Sequence, residues 1–322
     1  MNALGRHLLG LWPLSSDQIL HLLNLAERAA SGGLPPDALR GRVVANVFYE
    51  PSTRTRTSFE LASRRLGAEV VNFDPERSSV RKGESLVDTA LTLEALGVDA
   101  IVLRHECSGT PHRVARWVRC SVVNAGDGMH EHPTQALVDL LTVRRAFGRL
   151  AGLKVAIVGD VLHSRVARSA AWGFSKLGAE VLLCGPATLT PQQLSAPGVR
   201  TCHRWEEALE GADVVMALRV QAERQATSFG MSLGEYHRAY ALTPERLRLA
   251  KPGVLVLHPG PMNLGVEITP EVAYGPPSAV LQQVAHGVPV RMAVLYALLA
   301  QQQPEAELRP IQRAPLALVG RS

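Results

Sequence analysis

The segment Ser52-Thr53-Arg54-Thr55-Arg56-Thr57-Ser58 is the strongest chemical signal in the chain. It follows an apolar run that ends at Tyr49-Glu50, so hydroxyls and guanidinium groups crowd the start of the next helix. Free N–H groups and the positive end of the helix dipole favour an anion there, and the side chains add charge-assisted donors. A lone Ser-Thr pair would ordinarily be a helix cap with solvated arginines. Hydroxyls alternating with Arg54 and Arg56 point instead to a phosphate. The segment lacks the G-x-x-x-x-G-K spacing of a P-loop, so a nucleotide is not implied.

Other donors recur at strand ends. Arg104-His105 closes the run Ala100-Ile101-Val102-Leu103, and His132-Pro133-Thr134-Gln135 follows the turn Gly126-Asp127-Gly128. Arg54, Arg104 and His132 thus stand at the carboxyl ends of strands, where open parallel sheets bind ligands. In the second half, Gly159-Asp160 precedes Arg165, and Arg219-Val220-Gln221 precedes Glu223-Arg224. His258-Pro259-Gly260-Pro261 follows a third strand-like run, and Gly260 between two prolines makes a rigid turn that brings backbone close to a ligand. The run 155–159 could open a dinucleotide fold, but the G-x-G-x-x-G fingerprint is missing, so NAD is not expected. The basic loop 78–84 reads as a lid over an anionic substrate or as an ordinary solvated loop, and its local pattern does not choose between them.

The elements that must position these residues alternate. Residues 16–30 carry apolar side chains at helical spacing behind Ser15, Ser16 and Asp17 as capping candidates. Strands are expected at 43–49, 69–73, 100–103 and 121–124, separated by helices at about 54–66, 84–96, 111–118 and 133–147. A second series places strands at 154–159, 180–184, 199–203, 213–218 and 254–258, with helices at about 164–177, 205–210 and 243–249. A last helix is expected over about 278–301. This βαβ rhythm predicts an α/β protein with two similar doubly wound parallel-sheet domains joined by long helices. The expected division is 1–136 and 137–283, with a C-terminal helix at about 284–305 packing back on the first domain and a tail at 306–322.

At 322 residues the chain exceeds the usual single-domain size, and 46% hydrophobic against 20% charged residues suits two buried cores. No apolar stretch is long enough for a membrane helix, and residues 1–12 do not read as a signal peptide, so a cytoplasmic location is expected. Cys107, Cys120, Cys184 and Cys202 form no C-x-x-C pair and read as small buried hydrophobes rather than a disulfide or zinc framework. The net charge is +5, but its arginines are dispersed, which suits small anionic substrates better than a nucleic-acid backbone. Neither nucleic acid nor membrane is an expected partner, and no metal or cofactor is expected.

Taken in order, 52–56, Lys82-Gly83-Glu84, Arg104-His105, His132-Pro133-Thr134-Gln135, Gly159-Asp160 with Arg165, Arg219-Val220-Gln221 and His258-Pro259-Gly260-Pro261 resemble the aspartate/ornithine carbamoyltransferase family, over about residues 8–300. Ornithine-type members show His-Cys-Leu-Pro where this chain has His258-Pro259-Gly260-Pro261, and Arg219-Val220-Gln221-x-Glu223-Arg224 looks like the aspartate type. The resemblance implies transfer of the carbamoyl group of carbamoyl phosphate to the amino group of L-aspartate, a step towards pyrimidines. Transfer to ornithine and a non-catalytic anion-binding role are the alternatives.

The resemblance also implies residue roles. Ser52, Thr53, Arg54 and Thr55 would hold the phosphate; Arg104, His132 and Thr55 would donate to the carbonyl oxygen. Gln135 and the backbone around Gly260 and Pro261 would hold the carbamoyl NH2. Arg165, Arg219 and Gln221 would take the aspartate carboxylates, with Lys82 and Ser79 or Ser78 closing over both substrates. In relatives that loop comes from a neighbouring subunit, so a homotrimer with shared active sites is implied; a higher assembly with regulatory chains or with dihydroorotase is left open. Leu264 stands where many similar sequences carry arginine.

Overall fold

The computed structural model describes residues 4–75, 78–190, 197–221 and 232–300. Helix α1 (Ser16–Ala30) starts in a capping box, Ser15 accepting from the Gln18 N–H while Gln18 returns to the Ser15 N–H. Then follow β1 (Val43–Phe48), α2 (Thr53–Arg65), β2 (Glu69–Phe73), a 3-10 turn (Ser79–Lys82), α3 (Leu86–Ala95), β3 (Ala100–His105), α4 (Thr110–Ala115) and β4 (Ser121–Asp127). Helix α5 (Pro133–Phe147) leads to β5 (Lys154–Val158), α6 (Arg165–Lys176), β6 (Glu180–Cys184), a 3-10 turn (Ala187–Leu189), β7 (Val199–Cys202), α7 (Trp205–Leu209) and β8 (Val214–Ala217). The series ends with α8 (Leu233–Tyr240), α9 (Pro244–Leu247), β9 (Leu255–Leu257), α10 (Pro270–Ala273) and α11 (Val280–Leu299).

The strands form two parallel sheets, ordered β2-β1-β3-β4 and β7-β6-β5-β8-β9. All strands in each sheet therefore end on one edge. The chain reverses its direction of travel across the sheet between β1 and β3, and again between β5 and β8, and such switch points open crevices at the carboxyl ends of the strands. Residues 50–52 and Arg104 lie at the first; Gly159, Asp160 and Arg219 lie at the second.

One apolar cluster runs from the inner face of the first sheet through α1, α5, α6 and α11 to the inner face of the second. Helix α5 is buried continuously from Ala136 to Val143 because α1, α6 and α11 all pack on it. Helix α11 packs on α1, α2 and α5. The outer faces carry separate clusters. Among the described residues, no helix is long and apolar enough to cross a membrane.

Three sequence expectations change. Arg104 and His105 belong to β3 rather than following it, since Tyr49 N–H donates to Arg104 O (2.9 Å) and His105 pairs with Asp127 beyond a register shift. Helix α8 was not anticipated, although Ser232 and Glu235 form a complete capping box. Cys107 is exposed rather than buried.

Candidate active site

Helix α2 begins in an unusual way. Ser52, at its N-cap, is extended (φ −159°, ψ 102°), its hydroxyl makes no cap hydrogen bond, and the first turn carries no acidic residue. The uncompensated N–H groups and dipole are therefore left for an external anion. Ser52 Oγ instead accepts from Arg104 Nη1 at 3.4 Å, joining the ends of β1 and β3. Thr55 is buried, while Thr53 and Arg54 are exposed.

Glu50 links the two halves of the chain. Its Oε2 lies 3.2 Å from Arg104 Nε and accepts from Arg165 Nη2 at 2.7 Å. Arg165 is almost fully buried and passes over Gly126, whose absent β-carbon would come within 3.0 Å of the guanidinium. Thus the arginine expected to meet aspartate is held by an internal carboxylate, with the first-domain Arg104 on the same oxygen. The sequence reading missed Glu50. Its place at the end of β1, ahead of the hydroxyl-rich segment, was the available signal.

His132 is buried behind a chain of bonds. Its backbone N–H donates to Ser169 Oγ (2.8 Å), that hydroxyl donates to Glu131 Oε2 (2.8 Å), and the same oxygen accepts from the Leu11 N–H (2.7 Å). Burial, reinforced by the charges of Arg104, Arg165 and Arg291, pushes the imidazole pKa well below its ordinary value. The ring is neutral at pH 7, and its buried Nδ1 has no partner among the described residues.

Gln135 is anchored by a buried acid. Its Nε2 donates to Asp139 Oδ1 (2.9 Å), which also accepts from Gln283 Nε2 (2.7 Å), and Gln283 Oε1 accepts from the His258 N–H (2.9 Å). Burial raises the Asp139 pKa to about 7, although the two amide donors and Arg291 oppose the rise. Gly260 N–H donates to His258 Nδ1 (2.8 Å), so that nitrogen is unprotonated and Nε2–H points at Glu267 Oε1 (3.1 Å). Glu267 also accepts from the Asn263 N–H (2.6 Å) and the Val220 N–H (3.4 Å), tying the loop of Arg219 to that of Gly260.

Gly260 has φ +65°, and a β-carbon there would overlap the Arg54 guanidinium. Only glycine permits this approach between the start of α2 and the second-domain turn. The charges of Arg54 and Arg219 both depress the His258 pKa, after burial as the main cause, which places both arginines around this turn. A cavity of about 280 Å³ opens on the α11 side of Arg54, lined by Thr53, Gln135, His258, Gln283 and Arg291 among others. Arg104 and His132 lie outside that lining.

The structure therefore gathers Ser52, Thr53, Arg54, Thr55, Arg104, His132, Gln135, Arg165, Arg219 and Gly260 with its neighbour Pro261 around the two switch points. Lys82 is not brought in: it is exposed at the end of its 3-10 turn, and its side chain makes no bond to another described residue. Gln221 is half-buried at the edge of the described residues, and Glu223 and Arg224 lie outside them. Asp139, Gln283 and Arg291 were not singled out from sequence, because apolar helical periodicity hides a buried acid, amide or guanidinium whose partners lie far along the chain.

Residues 6–145 match the family model "Aspartate/ornithine carbamoyltransferase, carbamoyl-P binding domain", and residues 151–298 match "Aspartate/ornithine carbamoyltransferase, Asp/Orn binding domain". The chain is 54% identical over 298 residues to an aspartate carbamoyltransferase catalytic subunit of Moorella thermoacetica, covering 91% of this chain and 97% of that one. It is 60% identical over 265 residues to that of Salinispora arenicola, covering 81% and 86%. Among solved structures, the Trypanosoma cruzi aspartate transcarbamoylase with carbamoyl aspartate and phosphate superposes with TM-score 0.83 at 32% identity, covering 92% and 96%. The ornithine carbamoyltransferase of Thermus thermophilus superposes with TM-score 0.83 at 31% identity, covering 91% and 99%.

Proposed function

The chain belongs to the aspartate/ornithine carbamoyltransferase family, and we propose that it transfers the carbamoyl group of carbamoyl phosphate to the α-amino group of L-aspartate. The observation that carries this reading is the meeting of Arg54 with the Gly260 turn. It puts the phosphate-binding helix start of one domain and the backbone of the other around one space.

In the proposed reaction the start of α2, with Ser52, Thr53, Arg54 and Thr55, holds the phosphate. Arg104, His132 and Thr55 face the carbonyl oxygen, and Gln135 with the backbone at Gly260 and Pro261 holds the NH2. As the amine attacks the carbonyl carbon, charge grows on that oxygen, and pre-set donors stabilise it without reorganising. The neutral imidazole of His132 serves as a hydrogen-bond donor that keeps its proton. The C–O bond to phosphate then breaks, and the departing phosphate takes the amine proton. Holding two substrates in line supplies much of the remaining rate.

The acceptor reading is supported by relatives named for aspartate at 52–60% identity and by Arg165 and Arg219, cations suited to two carboxylates. Lys82 and Gln221 complete the aspartate set. The Lys82 side chain is exposed and makes no bond among the described residues, which supports its use in a neighbour's site and hence a homotrimer; higher assembly would involve regulatory chains or dihydroorotase. We further place the domain boundary at residues 136 and 137, with the helix from 284 returning to the first domain, as the packing of α11 on α1 and α2 supports; the rest of that segment, 301–305, and the tail 306–322 lie outside the described residues. The purified protein assayed with carbamoyl phosphate should turn over aspartate and not ornithine. Turnover of ornithine alone would reverse the assignment.

A further inference from the structure

Beside the reaction site, His112 at the start of α4, Asp127 at the end of β4 and His130 in the turn before α5 bring one ligand atom each to within 4.8 Å of one another. We propose that these three residues form a binding site for a divalent transition cation of the zinc class, which clamps α4 to the turn that carries His132.

The donor set fits that chemistry. Two imidazoles and a carboxylate suit zinc and its neighbours rather than calcium or magnesium. His130 Nδ1 lies 3.0 Å from Asp127 Oδ2, and the His112 and His130 rings meet edge to face with centroids 5.3 Å apart. Bonds of about 2.0–2.2 Å to a tetrahedral ion separate adjacent ligand atoms by about 3.3 Å. The Asp127–His130 pair is close to that spacing, and a closure of at most about 1.5 Å by half-buried His112 completes it. The fourth position would face water.

Two further observations point to a ligand. Asp127 is held as ligating carboxylates are held: Oδ1 accepts from Asn124 Nδ2 (2.7 Å) and the Glu131 N–H (3.1 Å), and Oδ2 from the Gly109 N–H (2.7 Å). His112 Nδ1 is buried and has no partner among the described residues, although most buried polar atoms are satisfied. Glu131 adds negative charge near both histidines; Arg116 beside His112 and Arg168 beside His130 oppose it.

The test uses the full chain, stripped by chelator and titrated with zinc by calorimetry, then with cobalt(II) as a spectroscopic probe. One ion per chain should bind with a tetrahedral cobalt spectrum lacking thiolate charge-transfer bands. His112→Ala and His130→Ala should each weaken binding at least about tenfold. His112 is half-exposed, so its variant keeps the test valid should His130→Ala fail to fold. No binding by the parent chain, or binding unchanged in His112→Ala, would overturn the proposal; a thiolate cobalt spectrum would assign the ion to cysteine instead.

Discussion

In the proposed reaction, an uncharged imidazole and a charged guanidinium divide the oxyanion contacts between His132 and Arg104. Burial first, and then the arginines around it, keep His132 neutral. The sign of the pH effect follows. The unfolded chain takes up the proton at the ordinary 6.5, whereas the folded one does so only well below it, so this residue costs stability as pH falls below 6.5 and nothing above. We expect the nitrogen resonances of His132 to keep a neutral tautomer at about pH 6, where unperturbed histidines are mostly charged; an imidazolium pattern there would contradict the assignment. Arg54 is exposed at the start of α2, and the proposed function makes it a phosphate contact. Arg54→Ala should lower kcat/KM for carbamoyl phosphate by at least about 1.5–3 kcal/mol, roughly 10- to 150-fold. Unchanged kinetics would remove the phosphate role from this residue.

At the scale of elements, α5 and α11 are joined inside the core by Asp139, which accepts from Gln135 on its own helix and from Gln283 on the other. Gln135 faces the reaction space, and Gln283 holds the His258 backbone ahead of Gly260. One buried carboxyl thus sets two contacts expected for the carbamoyl NH2. Its pKa rises from 3.8 to about 7, so the unfolded chain loses this proton first and stability falls as pH rises through that window. Denaturant unfolding of Asp139→Asn, which keeps an acceptor oxygen but cannot ionise, should lack this decline. An equal slope in both proteins would locate the titration elsewhere. The same elements show how far local pattern reaches. The 3.6-residue rhythm found α1 and α5 at their observed bounds, whereas α8 spans only Leu233–Tyr240 and buries Tyr236, too short a run for the rhythm to stand out beside its capping box. Strand β3 ran past Leu103 because pairing with β4, a non-local contact, extends to Asp127.

For the molecule as a whole, one chain brings together the cations proposed for both substrates except Lys82. If Lys82 acts in a neighbour's site, Lys82→Ala and Arg54→Ala chains, each impaired alone, should regain activity when dissociated and reassembled together. Mixed assemblies contain sites built from one intact loop and one intact helix start. Native mass spectrometry would verify mixing, and verified mixed trimers without recovered activity would return Lys82 to its own chain's site.

The parallel sheets, the order of the strands along the chain and the donors at the strand ends were legible in the sequence, because period, capping and strand-end chemistry act over a few residues. What joins them was not. Glu50 reaches Arg165 across 115 positions, and Gln283 reaches Asp139 across 144. The approach of Arg54 to Gly260 likewise depends on how two sheets pack through α5 and α11. Such pairings follow from which apolar faces must be buried against each other, and only the packed chain settles that.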